Sequence, residues 1–161
     1  MINYVILLRG INVGGHRKIL MKDLKEALTS HGFTDITTYI QSGNIIAKHP
    51  ENESAKLQDT IQEIIQSHFG HEVHVIIRTA EEWRSLHEKN PFESKDIEQL
   101  YCAFLNKEAN LSALSELEPY ATKGEEYALI NKQLYLAYPV KVHLSKLSNN
   151  LIEKKLKVTS T

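Results

Sequence analysis

At 161 residues the chain lies within the range of one domain or two small ones and can bury a useful core. With 42% apolar and 24% charged residues and a formal net charge of -1, it has an ordinary globular composition. It lacks the general basic field that would draw nucleic acid or an anionic membrane, so any positive patch is local. The single cysteine, Cys102, excludes an internal disulfide and a CxxC metal pair, and its setting in "YCAFL" reads as a buried, inert thiol.

The opening "MINYVILLRG" has neither a basic n-region nor a long apolar core, and no run approaches the ~20 apolar residues that span a bilayer. A cytoplasmic protein without a membrane partner is expected. "YVILL", Tyr4 to Leu8, is apolar throughout and reads as a strand covered on both faces. A glycine-rich loop follows. "MKDLKEALTSHGF" then places Met21, Leu24, Ala27 and Leu28 on one helical face, with Gly32 as its stop. "DITTYIQ" and "NIIAKH" are two strands joined through Ser42-Gly43. A second helix aligns Leu57, Ile61, Ile64 and Ile65 and closes at Gly70, and "EVHVIIRT" is a fourth strand from about Glu72. The order β-α-β-β-α-β is the split β-α-β, or ferredoxin-like, pattern.

The element order then repeats. Thr79 and Glu82 form a capping box opening a short helix with Trp83 and Leu86. "LYCAFLN" is a strand, Leu111, Leu114 and Leu117 mark a helix ending at Pro119, and "EYALI" and "QLYLAY" make a hairpin around Asn131-Lys132. A last helix spans about Ser145 to Leu156, with no final strand after it. The expected fold is α+β: two tandem ferredoxin-like (split β-α-β) halves packed together, residues 1–79 and 80–161.

The loop between the first strand and helix, "RGINVGGHRK", raises two readings. In one, backbone amides at a helix N-terminus form an anion site. Gly10, Gly14 and Gly15 then admit close backbone approach, while Arg9, Arg17 and Lys18 add cationic donors. His16 sits inside the loop as a ligand contact or an exposed side chain. In the other reading the loop is a glycine-rich connection with solvated charges. No GxGxxG or P-loop motif is present.

"LLRGINVGGHRKILMKDL" followed by "GFTDITTYIQSGNII", together with "SKLSNNLIEKKL", resembles the bacterial family catalogued as domain of unknown function 1697. The resemblance implies two ferredoxin-like halves and no established activity or cofactor. Its motif positions fall on Arg9, Gly10, Asn12, Gly14, Gly15 and Lys18, on Thr38, Tyr39, Gln41, Ser42, Gly43 and Asn44, and on Ser145, Lys146, Asn149 and Glu153. It also implies a continuation past Thr161, so the second half is expected to be truncated at its C-terminus.

The expected function is binding of a small anionic or phosphorylated, nucleotide-like ligand at the first loop. Arg9 pairs with the charge, the glycine amides cradle it, Asn12 sets orientation, and Ser145, Lys146 and Asn149 close the site. The alternatives are a transferase or hydrolase acting on a phosphorylated substrate, a nucleic-acid backbone binder, and a protein-interaction module. Nucleic acid is disfavoured because no strand carries the alternating aromatics of an RNA-binding sheet. His68, His71 and His74 straddle Gly70 and are expected to face solvent rather than hold a metal. In a ferredoxin-like sheet strand one is expected to end at the opposite edge from the turn between strands two and three, so "GINVGG" and "QSGN" should lie some ~15–20 Å apart, which makes the latter chiefly a structural turn. Nothing in the residues assigns an oligomeric state.

Overall fold

The computed structural model describes residues 1–161, which divide into two compact units, Met1–Leu86 and His87–Thr161. In the first unit, β1 (Ile2–Leu8), α1 (Met21–Ser30), β2 (Thr34–Tyr39), β3 (Asn44–His49), α2 (Ser54–Phe69) and β4 (Val75–Thr79) follow in that order. Its sheet runs β2-β3-β1-β4 with every neighbouring pair antiparallel, which is the ferredoxin-like arrangement.

Periodicity explains the core. The stripes Met21, Leu24, Ala27, Leu28 and Leu57, Ile61, Ile64, Ile65 are the buried residues of α1 and α2. They pack on Tyr4, Ile6 and Leu8 of β1 and on Ile45 and Ala47 of β3. The other face of β1 departs from the expected double cover: Val5 and Leu7 are only half-buried. β4 also starts later than expected, at Val75. The capping box is present as read. The amide of Thr79 donates to Glu82 Oε2 at 2.7 Å, and the amide of Glu82 donates to Thr79 Oγ1 at 3.1 Å, opening α3 (Ala80–Glu88).

In the second unit β5 (Leu100–Phe104), β6 (Glu126–Ile130) and β7 (Gln133–Ala137) form a sheet in the order β5-β7-β6. Leu134 and Leu136 pack with Leu117, Leu147, Ile152 and Leu156 in its core. The expected helix around Leu111 is a 3-10 helix, Leu111–Tyr120, with Pro119 inside it. Its apolar residues recur every third position, which suits three residues per turn. The last helix, α4, begins at Asn149 rather than Ser145, because Ser148 supplies the N-cap by accepting from the amide of Leu151 at 3.3 Å.

The end of the chain also corrects an expectation. Phe104 and Thr161 exchange both backbone hydrogen bonds, at 2.8 and 3.0 Å, and the amide of Asn106 donates to the carbonyl of Thr159 at 2.9 Å. Thr159 to Thr161 therefore pair beside β5, the place that β4 holds beside β1 in the first unit.

Candidate functional site

Two adjacent glycines give the first loop its shape. Val13 and His16 form an antiparallel bridge, the amide of His16 donates to the carbonyl of Val13 at 3.0 Å, and the amide of Asn12 donates to the carbonyl of Arg17 at 3.2 Å. Gly14 and Gly15 lie between them at φ 57° and 78°, both in the left-handed region that a two-residue hairpin turn of type I′ demands. A Cβ on Gly15 would meet no atom within 4 Å, so the turn, not crowding, calls for glycine there. The pair is thus the tip of a miniature hairpin. Residues 17–20 separate it from the first turn of α1, so the glycine amides are not the helix N-terminal amides that the sequence suggested.

Asn12 holds this hairpin down. Its Nδ2 donates to the carbonyls of Ile19 and Gln41, both at 2.9 Å, and its Oδ1 accepts from the amide of Ile19 at 2.9 Å. Asparagine tolerates the φ of 54° that the position imposes. The contact with Gln41 overturns the expected separation of "GINVGG" and "QSGN". β1 and β2 both run antiparallel to β3 and so parallel to each other, which brings the β2–β3 turn to the C-terminal end of β1. Leu7 pairs with Asn44, and the amide of Leu8 donates to the carbonyl of Gly43 at 3.0 Å. Within that turn Asn44 Nδ2 donates to Ser42 Oγ at 3.0 Å, and Ser42 Oγ donates to the carbonyl of Tyr39 at 3.2 Å.

These contacts leave a distinct surface. His16, Arg17 and Lys18 are exposed, whereas Arg9 is half-buried with its amide on the carbonyl of His74 at 3.0 Å. Arg17 lies across Gly10, its Nη1 3.3 Å from where a Cβ of that residue would stand. No acidic residue precedes Asp23, and none lies between Asp35 and Glu51. In the loop and in the turn bonded to it, Val13, Leu20 and Ile40 are each 66% exposed and Tyr39 is 70% exposed. Ile40 is β-branched yet has φ 48°, a strained backbone that costs on the order of 1–3 kcal/mol. Periodicity flags apolar residues that enter a core, and these four lie in loops or at element ends.

Ser145, Lys146 and Asn149 belong to the second unit. Ser145 Oγ donates to Glu125 Oε1 in a very short hydrogen bond and accepts from the amide of Leu147 at 3.0 Å. Asn149 Oδ1 accepts from Ser160 Oγ at 2.6 Å, and Glu153 Oε1 accepts from the amide of Ser160 at 2.7 Å, which ties the terminal segment to α4. Lys146 is exposed. Sequence reading missed Glu125, a buried carboxylate that also accepts from the amide of Lys123 at 2.7 Å. Burial pushes its carboxyl up, but the hydrogen bonds from Ser145 and Lys123 outweigh that and hold it below the usual range.

A carboxyl lowered on folding stabilises the folded state fully above its unfolded pKa. That contribution disappears as pH falls through the lowered folded value. In acid titrations followed by thermal melting, Glu125→Gln is expected to flatten the loss of stability on the acid side, and an unchanged pH profile would count against this assignment.

Cys102 is half-buried rather than fully enclosed. It lines a cavity of about 170 Å³ with Tyr101, Tyr138, Val142 and Ile152. His68, at the end of α2, has its ring 5.7 Å from that of His31 and edge-on to it, and Nδ1 lies 3.1 Å from the carbonyl of Ile64.

The structure is similar to that of the conserved bacterial protein SP0830 from Streptococcus pneumoniae, with a TM-score of 0.75 at 22% identity over 99% of this chain and 92% of that one. At that identity the likeness speaks to the fold alone. No curated protein matches the chain. The model of the family described as "Protein of unknown function (DUF1697)" matches residues 1–135, which include both the first loop and the β2–β3 turn. The chain belongs to the DUF1697 family.

Proposed function

We propose that this is a binding protein whose first-loop hairpin recognises an anionic, phosphate-bearing ligand. The observation that carries this reading is the division of labour in the loop. Asn12 and Gly43 fasten it from behind, and His16, Arg17 and Lys18 stand exposed on it within acid-free flanking sequence. The hairpin fixes the Arg17 backbone through the Asn12 amide, and a guanidinium offered from a fixed backbone can grip phosphate in bidentate fashion. Arg9 at the foot of the loop adds positive potential, and the Gly14 and Gly15 amides lie at the tip beside the cations. Binding, rather than turnover, fits His16 in the open, since a general base works best oriented and shielded from water.

Titration of the full chain with pyrophosphate and with nucleoside triphosphates, read by calorimetry, tests the reading. Each charge-assisted bond contributes about 1.5–3 kcal/mol, so Arg17→Ala with Lys18→Ala is expected to weaken binding by at least about tenfold. Absence of binding by the unaltered chain, or equal affinity in the double variant, would sink it.

A further inference from the structure

We propose that the first-loop hairpin docks on an anionic phospholipid surface, its cations on headgroup phosphates and its exposed aliphatic side chains entering the interfacial layer. This rests on the phosphate reading of the same residues and names where the phosphate is presented.

The Asn12 side chain is the key to the geometry. It joins three chain segments at Asn12, Ile19 and Gln41, and the covalent neighbour of each is an exposed aliphatic residue: Val13, Leu20 and Ile40. One clasp therefore holds together three stretches of chain that each carry an exposed aliphatic residue, two in the first loop and one in the β2–β3 turn, where Tyr39 adjoins it. Exposed apolar residues scattered singly need no explanation, but four of them on segments tied together by one side chain, in and against the loop that carries the cations, point to an interaction surface. Ile40 strengthens the case, because the turn holds a β-branched side chain in a strained conformation and still leaves it in solvent.

Charge selects the sign of the partner. Arg17 and Lys18 lie between flanks without acids, and the adjoining segments contribute Asp23, in the first turn of α1, and Glu72, ahead of β4. The chain's net charge of -1 does not oppose this, since charges farther than about 8–10 Å are screened at physiological salt.

Shape selects its class. Every residue from Val13 to Lys18 is exposed, so the loop is a knob rather than a cleft. A lipid interface yields around a knob, whereas a protein partner would need a matching hollow. Single-stranded nucleic acid stacks on aromatic faces. Three of the four exposed apolar residues here are aliphatic, and the fourth, Tyr39, is of the type that sits at headgroup level.

The test uses the full chain and sedimentation with two kinds of vesicle, phosphatidylcholine alone and phosphatidylcholine mixed with phosphatidylglycerol. Glycerophosphate and a short single-stranded oligonucleotide serve as soluble probes. The expected result is binding to the mixed vesicles and not to phosphatidylcholine alone, weakened at least about tenfold in the Arg17→Ala, Lys18→Ala double variant. Ile40→Asn is expected to weaken vesicle binding while leaving glycerophosphate binding unchanged. Asparagine accepts positive φ, so this variant folds at least as well as the parent and lost binding cannot be blamed on unfolding. Soluble phosphates or the oligonucleotide bound through Arg17 and Lys18, without vesicle binding, would overturn the lipid proposal and leave the phosphate reading standing. Vesicle binding indifferent to Ile40→Asn overturns the insertion. No binding to any probe overturns both.

Discussion

Gly43→Ala is expected to destabilise the first unit by about 2–5 kcal/mol, among the largest effects of adding one methyl group anywhere in the chain. Two costs add. Gly43 has φ 76°, where a residue with a Cβ loses about 1–2 kcal/mol. Its Cβ would also stand 2.7 Å from Leu8 Cβ and 2.8 Å from Ile11 Cδ1, and overpacking of that kind costs about 1–3 kcal/mol. Neither neighbour can give way easily, because Leu8 and Ile11 are core residues and the amide of Leu8 is bonded to the carbonyl of Gly43. For a unit of this size the melting transition should fall by more than about 10 °C. Gly15→Ala is the matched control, with φ 78° and no atom within 4 Å of the added carbon. Only the backbone cost remains there. Equal melting temperatures in the two variants would show that close approach is not what Gly43 provides.

How much of this was legible beforehand depended on whether the signal was local. The α1 and α2 stripes and the Thr79–Glu82 capping box repeat at helical spacing, and each can be read within a dozen residues. "VGGH" was ambiguous for a physical reason: glycines serve both a type I′ turn and a backbone anion cradle. The Val13–His16 and Asn12–Arg17 hydrogen bonds, which no propensity encodes, decide for the hairpin.

The place of the β2–β3 turn depends on strand direction through the whole sheet, which no local stretch of residues encodes. Two successive antiparallel pairings put β1 and β2 parallel and bring Gly43 against Leu8. In the second unit the partners of Ser145 and Asn149 are Glu125 and Ser160, 20 and 11 residues away, and nothing in a polar motif tells which distant group it satisfies. The mixed basic and apolar surface of the first loop was hidden by averaging. A net charge of -1 over the whole chain says nothing about stretches in which every charge is positive.

Asn12→Ala carries the second large effect, about 2–4 kcal/mol, and it separates the stability of the loop from its contacts with any ligand. The substitution removes three hydrogen bonds and leaves the amide of Ile19 without its side-chain partner. It also puts alanine at φ 54°. The core residues of α1, α2 and the sheet are untouched, so the unit should still fold, with a loosened hairpin. Trypsin reads that locally, because Arg17 and Lys18 are the exposed cleavable residues of the loop and exposed backbone is cut when it frays. Cleavage after these residues is expected to accelerate well beyond the change in global stability, and Asn12→Gln is expected not to restore it, since the longer side chain displaces the amide from all three partners. Because Asn12 grips Gln41 and Gly43 seats the same turn against Leu8, the two substitutions should not add. A double-mutant cycle is expected to show a coupling of about 0.5–3 kcal/mol. Strict additivity together with an unchanged cleavage rate would mean that the loop is rigid without its clasp, and the three-segment junction on which both proposals stand would have to be abandoned.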